Sequence, residues 1–91
     1  MNNIKVTKER IDHLMETAEY DVYTQFSKCT IVSAKLENGF ILTESSACVD
    51  EANYDPALGI KICKEKIRDK LWELEGYALQ DSLHKLMQGR K

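Results

Sequence analysis

The side chains in this chain that could do chemistry are few, and they suit binding rather than bond-breaking. Lys61, Lys64 and Arg68 are spaced i, i+3 and i+7, which places three cations along one side of a helix. Arg68 is the strongest of them as a phosphate ligand, because its planar fork matches two phosphate oxygens. Tyr54 and Trp72 offer flat π surfaces on which a purine could stack. Asn53 can meet an adenine edge with a paired donor and acceptor. Ser45 and Ser46 are small and polar, and they leave room for a ligand to approach the backbone. Each also has a plainer use: Lys61, Lys64 and Arg68 are interleaved with Glu65 and Asp69 as on a solvated helix face, Asn53 can shape a turn, and Trp72 can pack.

No local spacing supports a Ser/His/Asp or Cys/His nucleophile, and neither a P-loop nor a G-x-G-x-x-G run occurs. Glu44 and Asp50 stand near the serines, but as isolated carboxylates they read as surface groups rather than bases. His13 lies beside an apolar stripe and belongs to no cluster. Cys29, Cys48 and Cys63 have no metal-ligand spacing, and an odd count makes a poor disulfide framework. Reduced thiols in a cytoplasmic setting are the expectation. Neither a metal nor a cofactor is called for, and no enzyme is expected.

These residues cluster around residues 40–77, which read as a strand ending in small polar residues, an acidic turn and a long helix. Asp55 is a natural N-cap and Pro56 fits the first helical position. The start of that helix carries unpaired N–H groups and the positive end of a macrodipole, a place suited to an anion.

The rest of the chain must position that stretch. Ninety-one residues allow one small domain with one core. A formal charge of −2 gives no basic field for a DNA or RNA polymer, and no apolar run is long enough for a signal peptide or a membrane span. Thr7 caps a helix over residues 8–19, with Val6 and Ile11 spaced as a hydrophobic staple and Ile11, Leu14, Met15 and Ala18 forming its stripe. Period two then takes over: Tyr20, Val22, Thr24 and Phe26 should line the buried face of a first strand. Ser27-Lys28 would turn into a central strand over residues 29–36, apolar on both faces, and Asn38-Gly39 would make a tight hairpin into a third strand over residues 40–46. Ile60, Cys63, Ile67, Leu71, Leu74 and Ala78 continue as a helical stripe, and Gly76 is a point where the helix could bend or end. Beyond it Leu79, Leu83, Leu86 and Met87 form a surplus stripe that so small a sheet cannot cover, which points to self-association. The expected architecture is α+β: an N-terminal helix, a three-stranded antiparallel meander and a long C-terminal helix.

Three runs carry a family resemblance: NGF at residues 38–40, ESSACVDEANYDPALG at 44–59 and KLWELEGYALQ at 70–80, supported by TKERIDHLM at 7–15 and KCTIVSAKL at 28–36. They resemble the phage gene product 49 / gene 66 family, and the resemblance extends over about nine-tenths of the chain. A branch of that group is similar to the first Thoeris anti-defence family, phage proteins that sequester cyclic ADP-ribose signals without degrading them. The resemblance implies a sponge for cyclic nucleotide signals in the cytoplasm of an infected bacterium, dimers that assemble into hexamers, and cyclic trinucleotides as further ligands. It supplies no residue-by-residue ligand contacts, so the candidate ligand-binding set remains Ser45, Ser46, Asn53, Tyr54, Lys61, Lys64, Arg68 and Trp72. A phage protein-interaction module using the stripe from Leu79 to Met87 is the alternative from another class.

Overall fold

The computed structural model describes residues 4–88, so the first three residues of the N-terminal arm lie outside it. Helix α1 (Lys8–Thr17) starts where the sequence places it: the Thr7 hydroxyl accepts a hydrogen bond from the Arg10 amide at 3.1 Å, and Val6 packs near Ile11 against the core. It ends two residues short of the expected 19. Glu19 already pairs with Lys35, so the sheet takes the residue before the helix can.

Strands β1 (Glu19–Gln25), β2 (Cys29–Lys35) and β3 (Ile41–Ala47) form an antiparallel meander in that order. The register puts Val22 opposite Val32 and Val32 opposite Glu44. Thr30, Val32 and Ala34 on β2 therefore share one face, and they are buried.

Both corners differ from expectation. The first is Phe26-Ser27 rather than Ser27-Lys28: both residues have positive φ, 53° and 58°, and the Lys28 amide donates to the Gln25 carbonyl at 3.2 Å. The register pairs Gln25 with Cys29, so Phe26, Ser27 and Lys28 form a three-residue loop, whose left-handed positions are filled without glycine at roughly 1–2 kcal/mol for each. Phe26 is thus in the turn, 84% exposed, and not on a buried strand face. At the second corner only Gly39 is left-handed, at φ 92°. The Gly39 amide donates to Leu36 and the Leu36 amide to Phe40, giving a three-residue loop one longer than a tight Asn-Gly turn.

Helix α2 (Pro56–Gln88) crosses β2 and β3 but not β1. This explains a further difference: Tyr20 is half-buried, while Val22 and Thr24 face the helical side of the sheet yet stay exposed. The core is Ile11 and Leu14 from α1, Val32, Ala34 and Leu36 from β2 and its exit, and Cys63, Ile67 and Leu71 from α2. Gly76 does not end the helix, whose 33 residues run unbroken for about 50 Å at 1.5 Å per residue. The opposite sheet face, with Tyr23, Ile31 and Ser45 in one row, has no element of this chain over it among the described residues. No helix there is long and apolar enough to cross a membrane.

Candidate functional site

The start of α2 is held against the sheet by a close fit that begins with a glycine. A Cβ on Gly59 would stand 2.2 Å from the Thr30 hydroxyl oxygen, so only glycine lets the helix approach β2 this closely. Thr30 is buried, and its hydroxyl bonds the Tyr54 hydroxyl at 2.6 Å; Tyr54 also bonds Thr24 at 2.8 Å. Tyr54 thereby pins the loop before α2 to two strands.

That loop is short and capped at each step. Asp50 accepts from the Ala52 amide at 3.0 Å and opens a 3-10 turn, Glu51–Asn53. Asp55 accepts from the Ala57 amide at 3.0 Å through its carboxylate, and its carbonyl takes the Gly59 amide. The positive end of α2 thus already holds a carboxylate, and an external anion would have to compete with it. Asp50 serves the turn rather than standing as a base.

Ser46, Asn53, Tyr54, Leu58, Gly59 and Ile62 line a pocket of about 170 Å³ at this corner. Its walls are mainly apolar, with Ser46, Asn53, Tyr54 and the Asp55 carboxylate as polar residues, the last of which disfavours an anion. Such a lining suits the flat edge of a nucleobase better than a phosphate. Ser45 points to the other face of the sheet, and its carbonyl accepts from Lys66 at 2.7 Å.

The cations lie elsewhere. The Lys64 ammonium sits over the Tyr20 ring at 4.4 Å, and Arg68 is bound to Asp12 on α1. Lys61 is exposed. Hydrogen bonds from Lys8 and from Arg68 hold the Asp12 carboxyl below the usual carboxylate range. A second tie between the helices joins Arg10 to Glu75 at 2.8 Å. Trp72 is 39% exposed and lies nearly three turns of helix beyond the pocket residue Ile62. One chain therefore brings Ser46, Asn53 and Tyr54 together and keeps Lys64 and Arg68 on the opposite flank of α2.

The remaining titratable groups are structural. Cys63 is fully buried, its thiol donates to the Thr30 carbonyl, and burial pushes its pKa up, so it is an inert thiol. Burial also raises the Tyr20 hydroxyl, which donates to the Met15 carbonyl at 2.6 Å. His13 is exposed and contacts Glu37 at 3.1 Å. All three cysteines are free, and no metal-binding cluster occurs among the described residues.

Sequence reasoning missed Gly59 and Thr30. The signal was present: Gly59 stands four residues before Cys63, one step further along the apolar stripe.

A helix covering one face of a three-stranded meander, with a tight glycine contact at its start, is the architecture of a small α+β protein. The chain belongs to the Phage protein (N4 Gp49/phage Sf6 gene 66) family, whose model matches residues 6–83. No curated protein and no solved structure matches it.

Proposed function

We propose that this phage-family protein binds cyclic nucleotide signals, cyclic ADP-ribose isomers foremost, and sequesters them uncleaved in the cytoplasm of the infected cell. The observation that carries this reading is the separation of the two halves of the site. The pocket beside Ser46 and Asn53 suits a base, and at about 170 Å³ it falls below the roughly 300–1,000 Å³ of sites that enclose a small molecule. The cations Lys61, Lys64 and Arg68 suit phosphates, but from across α2. A ligand touching both must lie between copies of the chain, so the functional unit is a homo-oligomer. The resemblance of residues 44–59 and 70–80 to the phage family, of which an anti-defence group looks like a branch, supports the same ligand class.

Thermal shift against cyclic ADP-ribose isomers and cyclic di- and trinucleotides tests this. The melting temperature should rise with the logarithm of ligand concentration, and ligand released by heat should be intact. Linear products, or no shift with any of these ligands, would remove the reading.

An interaction module without a nucleotide ligand is the second reading, favoured by the exposed Leu86 and Met87 at the end of α2. It predicts a monomer whose melting temperature no nucleotide moves.

A further inference from the structure

One end of the sheet carries apolar side chains that this chain does not pack. Gln25, Cys29 and Ala47 stand in one row, so the loop over residues 26–28 and the exit of β3 leave the sheet side by side. Two bonds tie them together. The Cys48 amide donates to the Lys28 carbonyl at 3.0 Å, and the Lys28 ammonium donates to the Val49 carbonyl at 3.2 Å. Phe26 is exposed on one of these loops, and Val49 is 95% exposed on the other.

The backbone makes Phe26 the more telling of the two. At φ 53° the Cβ crowds its own main chain, and glycine, asparagine or aspartate is the usual occupant. A bulky aromatic ring there weakens the fold, and an exposed ring gains little from packing within the chain. Strain that a fold does not need is a mark of a contact site.

Charge selects the occupant. Asp50, Glu51 and Asp55 follow Val49 closely along the chain. Asp50 and Asp55 each accept one backbone amide, and none of the three is ion-paired among the described residues. Lys28, the cation of the first loop, is engaged with a carbonyl. The tip is thus apolar with carboxylates beside it. An anionic lipid surface or a nucleic-acid backbone would repel it, and a second copy docked tip to tip would bring like charges together. A protein with an apolar socket bordered by lysine or arginine matches it: a buried aromatic anchor supplies affinity, and rim charges steer the encounter.

We propose that the tip formed by Phe26 and Val49 docks a different protein, one that receives the phenyl ring in an apolar socket with a basic rim. The tip lies at the opposite end of α2 from Leu86 and Met87, and neither Phe26 nor Val49 lines the pocket at Ser46 and Asn53. It therefore stands or falls apart from the nucleotide reading.

The first test needs no partner. Phe26→Asn removes the ring and installs a side chain that accepts left-handed backbone, so the urea midpoint of the chain should hold or rise. A lower midpoint would show that the ring serves this fold, and would overturn the proposal. The second test places photoreactive benzoylphenylalanine at position 49 of the full chain and irradiates it in a lysate of phage-infected bacteria. A protein other than this chain should be cross-linked, with the link mapping beside an apolar pocket bordered by lysine or arginine. Once purified, that protein should bind Phe26→Asn at least ~10-fold more weakly than the unaltered chain. Glu51→Lys should lose roughly 3-fold, a loss that shrinks as salt is raised. No cross-linked protein, a link to another copy alone, binding that either variant leaves unchanged, or phosphatidylglycerol vesicles that carry the chain but not Phe26→Asn would each overturn it.

Discussion

Two glycines in one helix mark two different environments. Gly59 sits where α2 meets the sheet, and a single added carbon would collide with Thr30; Gly76 sits past the sheet, where the same carbon would meet nothing. In the first half of α2 the chain specifies its own packing down to one atom. In the second half, among the described residues, Leu86 and Met87 stay more than half exposed. A small protein can thus be finished at one end and incomplete at the other.

The largest test of that contrast is Gly59→Ala. Forcing a methyl into the contact should destabilise the fold by about 2–3 kcal/mol, read as a lower midpoint in urea unfolding; an unchanged midpoint would mean that the helix can lift off β2 freely. Tyr54→Phe comes next. It removes the hydroxyl that serves both Thr24 and Thr30 and leaves the Thr30 hydroxyl buried without that partner, at about 1–2 kcal/mol. On the other side, Gly76→Ala should stabilise the isolated chain by up to about 1 kcal/mol, measured at concentrations low enough that copies stay apart. Responses of opposite sign at the two positions would sharpen the comparison; a loss at both would break it.

The smallest effect lies at the boundary, where Arg68 and Arg10 tie α1 to α2. Arg68→Ala should lower the melting temperature only slightly, since the pair is partly exposed and screened by solvent. Its pH signature is more telling. The folded state lowers the Asp12 pKa, so the stabilisation is present above the unfolded carboxylate value of about 3.9 and is lost as pH falls through the lowered value. Melting temperatures followed from about pH 7 down to 3 should fall less steeply in acid for Arg68→Ala than for the unaltered chain.

Much of this fold is legible in the residues. Thr7 and Asp55 announce both helix starts, and period-two runs give all three strands in order. Legibility fails where a neighbouring element decides. Phe26 has the spacing of a strand residue, but the shared register of β1 and β2 makes it a corner. Val22 alternates like a buried residue, yet α2 passes over β2 and β3 and leaves the edge strand bare. The candidate site was legible only in part: Ser46, Asn53 and Tyr54 do converge, while Lys64 and Arg68 turn toward Tyr20 and Asp12, partners that helical spacing alone cannot reveal.

The long α2 gives the described residues extents of 62 × 23 × 22 Å. A rod of that aspect ratio tumbles and diffuses more slowly than a sphere of equal mass. On a sizing column calibrated with globular standards, one copy would therefore elute early and imitate a heavier species. Subunit number must come from scattering or sedimentation equilibrium, where shape drops out.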